Sequence, residues 1–108
     1  MIGRYVEESE KNWEVKFTGK ARKQQKILPK TITPMLQALR RELEQDGPEA
    51  KNWPHFGLIY GRAGYFHCHL NKGRSCYVAV WRVENNEINV IEVRYVGTHE
   101  GINYNRID

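Results

Sequence analysis

The chain has 108 residues and a net charge of +4, with 17 Lys and Arg against 13 Asp and Glu. This length fits a single domain, and two cysteines are too few for a disulfide framework. The sequence shows no apolar run of membrane length and no signal peptide, so we expect a cytoplasmic protein without a membrane partner. The basic excess is concentrated in residues 1–30 and suits an anionic partner such as nucleic acid, although charge alone does not identify RNA.

Residues 1–12 are interpreted as a flexible lead or a short extra element, followed by a single domain, residues 13–108. Residues 13–17 alternate apolar and polar side chains, which predicts a strand. Residues 20–28 indicate a short basic surface helix that ends at Pro29. Its charge suits either a solvated face or contacts with phosphates.

A second helix is predicted by four apolar side chains at helical spacing: Met35, Leu36, Leu39 and Leu43. Thr-Pro at its start and Asp-Gly-Pro at its end are typical helix boundaries. The Gly-, Pro- and aromatic-rich residues 47–64 that follow are interpreted as a connector, and they include His55.

The carboxy-terminal part predicts three consecutive antiparallel strands, at about residues 65–70, 76–83 and 88–96. Residues 71–75 form the first loop, and Asn85-Asn86 suits a two-residue turn. Two helices before such strands favour an α+β fold. We expect an antiparallel sheet of about four strands, including the earlier one, with both helices on one face.

The two turns also predict how the strands pair. Val80 should face Ile91 and Cys68 should face Val78, which keeps one face of the sheet apolar. Both cysteines, Cys68 and Cys76, then lie on the core face as buried free thiols. The opposite face is expected to carry His67, His69, Tyr77, Ala79, Trp81, Glu92 and Arg94.

Histidines dominate the candidate chemistry. His67 and His69 alternate along one strand and so project to the same side, and His99 should lie near His69, Lys72 and Arg74 at one rim of the sheet. The residues alone leave three interpretations open: a metal site with three His ligands, metal-free RNA cleavage by histidine acid–base chemistry, or histidines that only hydrogen-bond to loops. No carboxylate or cysteine spacing supports the metal site, so no metal ligand is assigned.

Four motifs in residues 64–104 carry a family resemblance: GYFHCHL, the basic turn NKGRS, YVAVWRV and YVGTHEGINY. Together they resemble the YafQ/HigB-like branch of the RelE/ParE toxin superfamily. The resemblance implies the toxin of a type II toxin–antitoxin system. It further implies a ribosome-dependent mRNA endonuclease that needs neither metal nor other cofactor and leaves a cyclic phosphate. A cognate antitoxin, the ribosome and mRNA are the partners that it implies.

The resemblance also implies roles for single residues. His69 and His99 would be the catalytic acid and base, and Tyr104 would act near the scissile phosphate or stack on a base. Lys72 and Arg74 occupy a loop where the family usually has an Asp-Trp pair. The candidates for RNA or phosphate binding are Lys72, Arg74, Arg94, His67 and His55.

Two other functions fit the same layout. ParE-like relatives inhibit DNA gyrase and do not depend on this set of histidines, so His69 with His99 favours the endonuclease. A non-catalytic domain that binds nucleic acid or an antitoxin is the third possibility.

Overall fold

The computed structural model describes residues 12–73, 75–85, 89–104 and 107. All but one of the residues of the predicted lead, 1–12, lie outside this range. The described residues form two helices and five strands, in the order β1 Glu14–Phe17, α1 Gly19–Lys26, α2 Thr33–Asp46, β2 Gly57–Leu58, β3 Tyr65–His69, β4 Tyr77–Asn85 and β5 Val90–Thr98. Neither helix in the described part of the chain has the length and apolar character needed to span a bilayer.

The strands form one sheet in the order β1-β5-β4-β3-β2. Strands β2 to β5 pair antiparallel, whereas β1 pairs parallel with β5. The predicted α+β class is confirmed, but the sheet is mixed and has five strands where an antiparallel sheet of about four was expected. The fifth strand is the two-residue β2, which adds Gly57 and Leu58 to the edge of β3.

Local signals explain where the helices begin. Thr18 precedes α1, and its Oγ1 accepts a hydrogen bond from the Ala21 N–H at 3.0 Å, which satisfies a free donor of the first turn. Helix α2 has Pro34 in its first turn, where proline needs no hydrogen-bond partner. Ala21 is the buried residue of α1, so the basic side chains of this helix remain at the surface as predicted.

Both helices pack on one face of the sheet, as expected. Leu36, Leu39 and Leu43 of α2 are buried, whereas Met35, which was predicted to belong to the same stripe, is 39% exposed. The sheet residues in this core include Cys68, Ala79, Trp81, Ile91, Val93 and Val96. The indole Nε1 of Trp81 donates to the Pro48 carbonyl oxygen at 2.9 Å, so the polar atom of this large buried ring has a partner.

The predicted strand register is wrong in both hairpins. Cys68 faces Ala79 rather than Val78, and Val80 faces Tyr95 rather than Ile91. In the second hairpin the strands run on to Asn85 and from Val90, so no two-residue turn at Asn85-Asn86 joins them; residues 86–88 lie outside the described range.

The error has a physical cause in the composition of β4. This strand is apolar at successive positions, so a shift by one residue buries apolar side chains in either register. In the observed register Tyr77, Ala79 and Trp81 face the helices, where the opposite was predicted. Val80 instead packs on the other face of the sheet, which we call the open face, beneath Tyr95, Ile102, Tyr104 and Ile107 of the carboxy-terminal part.

Candidate active site

Three histidines from separate parts of the chain meet at one end of β3. His69 is the last residue of β3, His55 lies before β2, and His99 directly follows β5. The centroid of the His69 ring is 4.3 Å from that of His55 and 5.3 Å from that of His99. We call His55, His69 and His99 the histidine cluster. Within the described part of the chain, no three His, Cys, Asp or Glu side chains are arranged to hold a metal ion.

Main-chain hydrogen bonds anchor the histidine cluster. The His69 N–H donates to the Pro54 carbonyl oxygen at 2.8 Å, and the His99 N–H donates to the Cys76 carbonyl oxygen at 2.8 Å. His55 has a φ of 56°, in the left-handed region that non-glycine residues seldom adopt. The connector and the strand ends therefore fix how the three rings approach each other.

A cavity of about 520 Å³ lies beside two of the three rings. Its lining comprises Pro54, His55, His69, Asn71, Lys72, Gly73 and Cys76. Lys72 is exposed at its edge, whereas Arg74, which was predicted to join it, lies outside the described residues. The cavity thus combines imidazoles with a cation, a combination that suits a phosphate-containing ligand.

Burial and mutual repulsion keep two of the histidines uncharged near neutral pH. Burial lowers the pKa of His69, and the neighbouring His55, His99 and His67 lower it further. The pKa of His67 is lowered by burial and then by His55 and His99. An imidazole with a pKa below its usual value of 6.5 is neutral at pH 7 and can accept a proton.

Cys76 lies at this rim, not in the core as predicted. Its Sγ is 2.9 Å from His69 Nδ1 and donates to the Asn71 carbonyl oxygen at 3.3 Å. Burial, followed by the charge of Glu100, raises the pKa of the thiol, so the sulfur is protonated at neutral pH. The sequence could have indicated this contact, because His69 and Cys76 lie on either side of the loop 71–75. Cys68 is fully buried and free, as predicted.

A second group of side chains lies further along the open face. The centroids of the His67 and Tyr104 rings are 5.7 Å apart, and the two residues line an apolar cleft of about 250 Å³ with Leu58, Ile59 and Tyr60. Tyr60 is fully exposed, and His67 Nδ1 is buried without a hydrogen-bond partner. Tyr60 belongs to the connector of residues 47–64, and its exposure depends on how the connector folds.

Tyr104 is held in place by a residue that sequence reasoning missed. The Arg62 guanidinium donates to the main-chain oxygens of Tyr104 and Ile107, each at 2.8 Å. It also lies over the Tyr65 ring, 4.3 Å from its centroid. Nothing in the spacing of the sequence links Arg62 to the end of the chain.

Solved structures share this arrangement of strands and helices, although no family model and no curated protein matches the chain. The isolated RelE toxin of Escherichia coli has a TM-score of 0.60 and 25% identity, over 86% of this chain and 90% of that one. The archaeal RelE–RelB complex from Pyrococcus horikoshii has a TM-score of 0.66 and 17% identity, over 84% of this chain and 99% of that one. The RelBE2 toxin–antitoxin complex from Mycobacterium tuberculosis has a TM-score of 0.59 and 19% identity, over 81% of this chain and 98% of that one.

The chain has the fold of the RelE toxins. The resemblance to the RelE/ParE superfamily is thereby confirmed at the level of the fold, and the YafQ/HigB-like branch stays a prediction. On this RelE fold, the helices cover one face of the sheet and the histidine cluster stands at the rim of the other.

Arg94, a predicted phosphate ligand, lies elsewhere on the RelE fold. Its Nη2 is 2.7 Å from Glu84 Oε2 and 2.8 Å from Glu92 Oε1, and its Nη1 donates to the Tyr65 hydroxyl at 3.0 Å. Two carboxylates therefore already balance this cation. The structure brings His55, His69, His99 and Lys72 to one rim and His67 with Tyr104 to the neighbouring cleft; Arg94 joins neither.

Proposed function

We propose that the protein is the toxin of a type II toxin–antitoxin system and acts as a ribosome-dependent mRNA endonuclease. The observation that carries this proposal is the pair of imidazoles at the uncovered rim, His69 and His99, with ring centroids 5.3 Å apart. Two such groups can serve one phosphodiester as base and acid. The RelE fold supports the proposal, since its solved examples include toxins in complex with antitoxins.

Cleavage would proceed by attack of the ribose 2′-hydroxyl on the adjacent phosphorus. One imidazole takes the 2′-hydroxyl proton as the bond from the 2′-oxygen to phosphorus forms. The bond from phosphorus to the 5′-oxygen breaks, and the second imidazole protonates that leaving oxygen. The products are a cyclic phosphate and a free 5′-hydroxyl, and every step uses side chains of this protein alone.

The remaining rim residues suit binding and orientation. Lys72 would balance charge on the phosphate, and the cleft of His67, Tyr60 and Tyr104 offers aromatic faces on which an unpaired base can stack. Because the RNA chain would cross from the cavity to the cleft, one nucleotide can lie on the aromatic rings while its phosphate lies near the histidine cluster.

Helix α1 provides a cationic surface for the partners. Lys20, Arg22, Lys23 and Lys26 are exposed on it, and Ile27 next to it is 82% exposed. Acidic antitoxin segments and ribosomal RNA both favour such a surface. We assign α1 to partner contacts in general and not to one of the two.

Primer extension on mRNA from cells that express the protein tests the proposal directly. The expected result is a set of cuts in translated messages, absent when translation is blocked and absent with His99→Ala. Growth arrest with intact mRNA and poisoned DNA gyrase would overturn the endonuclease in favour of a ParE-like activity. Growth that continues normally would overturn both.

A further inference from the structure

The contact between Cys76 and His69 determines where the imidazole carries its proton. The Cys76 Sγ lies between two polar atoms, 2.9 Å from His69 Nδ1 and 3.3 Å from the Asn71 carbonyl oxygen. A thiol has one proton to donate, and a carbonyl oxygen can only accept. Both contacts are hydrogen bonds only if the S–H points to Asn71 and the His69 Nδ1–H points to the sulfur.

The opposite arrangement leaves one contact without a proton. If the thiol donated to His69 Nδ1, the sulfur and the Asn71 oxygen would face each other with lone pairs only. Loop movement does not readily relieve this, because the Tyr77 N–H donates to Asn71 Oδ1 at 2.8 Å and ties the loop to β4. The raised pKa of Cys76 keeps the thiol protonated and its donor available.

We propose that Cys76 is a positioning residue that holds His69 in the tautomer with the proton on Nδ1 and the lone pair on Nε2. The catalytic meaning of this inference rests on the proposed function. His69 is then the base, since only Nε2 can accept the 2′-hydroxyl proton, and His99 is the group that protonates the leaving 5′-oxygen.

Such a partner matters because a histidine in the wrong tautomer offers a proton where a lone pair is needed. For histidines that bind metals, loss of the group that orients the ring lowers activity by roughly 10- to 100-fold. We expect an effect of about this size for Cys76→Ala. Cys76→Ser should retain activity, because a hydroxyl can accept from Nδ1 and donate to Asn71 as the thiol does.

Long-range ¹⁵N–¹H correlation spectra of the full chain test the tautomer without RNA or ribosomes. They are recorded at about pH 8, where the His69 imidazole is neutral because its pKa is lowered from 6.5, and His69→Gln identifies the signals. The expected wild-type spectrum shows His69 with a protonated Nδ1 and an unprotonated Nε2. Cys76→Ala should lose this preference, whereas Cys76→Ser should keep it. Cys68→Ala is the matched control, since its thiol is buried on the other face.

Two results would overturn the inference. One is a wild-type His69 with its proton on Nε2, and the other is a Cys76→Ala protein whose His69 spectrum is unchanged while its fold is intact. Cleavage assays then test the consequence: a shifted tautomer with wild-type cleavage rates would remove Cys76 from the mechanism. A wild-type protein that cuts no mRNA would defeat the proposed function instead, and the spectra would still decide the tautomer.

Discussion

Arg62 holds Tyr104 through its main-chain carbonyl oxygen, whereas the Tyr104 ring packs on the open face. The guanidinium donates to the Tyr104 carbonyl oxygen at 2.8 Å and to that of Ile107 at the same distance. A side chain from the connector thereby fixes the end of the chain against the open face, where Tyr104 packs with Val80 and Tyr95. Arg62 therefore helps to place Tyr104 in the wall of the cleft.

Arg62→Ala should destabilise the protein and release the carboxy-terminal part. Two hydrogen bonds from a charged donor and a contact over the Tyr65 ring are lost, so we expect a fall of about 2–4 kcal/mol in the free energy of unfolding. Urea denaturation measures it. Arg41→Ala, on the exposed side of α2, is the matched control and should change stability by less than about 0.5 kcal/mol. Equal effects of the two changes would contradict the role of Arg62.

His99→Ala should abolish cleavage while the fold survives. His99 is exposed, so its loss costs little stability, whereas loss of an acid or base lowers the rate by about 10²-fold or more. The rate is measured on ribosome-bound mRNA, and thermal unfolding reports the fold. Arg41→Ala changes an exposed side chain of α2 and should cleave normally; a His99→Ala protein as active as this control would exclude His99 from the chemistry.

Stability should decrease below about pH 6.5 because of the half-buried His67. Its pKa is lowered from 6.5 in the folded protein, so between the two pKa values the unfolded chain binds more protons than the folded one. The contribution of His67 to the free energy of unfolding is therefore fully present above about pH 6.5. It is lost as the pH drops towards the pKa of His67 in the folded protein. His67→Gln should reduce this fall between about pH 7.5 and 5.5, as measured by urea denaturation. A fall as steep as that of the wild type would show that His67 does not cause it.

Gly97→Ala should destabilise the end of β5 that leads to His99. A Cβ at this position would lie 2.7 Å from the Tyr95 hydroxyl oxygen. That hydroxyl donates to the Thr98 carbonyl oxygen at 2.9 Å, so the ring cannot retreat without losing a hydrogen bond. We expect a loss of about 1–3 kcal/mol, measured by thermal unfolding. Gly19→Ala is the control: a Cβ there meets nothing within 4 Å, and the change should stabilise α1 by up to roughly 1 kcal/mol.

The sequence was sufficient for the fold class and for the meeting of His69 with His99. Periodicity identified α2 and the three carboxy-terminal strands, and a basic stretch before Pro29 indicated α1. A strand that returns beside its neighbour must deliver the residue after it to the rim. Composition could not decide the register, because β4 is apolar on both faces: Ala79 and Trp81 pack under the helices, and Val80 packs on the open face.

Other features of the site depend on contacts that no spacing encodes. Arg94 lies opposite an irregularity in the β4–β5 register between Val80 and Trp81, and its partner Glu84 lies at a second one, between Val83 and Asn85. Regular strand alternation does not predict this ion pair. The position of Cys76 beside His69 likewise follows from the path of a loop rather than from strand alternation.

The parallel pairing of β1 with β5 limits how early the domain can fold while the chain is being synthesised. Among the described strands, β1 has its place beside β5, which follows the others in the chain, so the hydrophobic interior cannot close until β5 has emerged from the exit tunnel. A nascent chain therefore carries β1 unpaired while the helices and strands β2 to β4 are still being made.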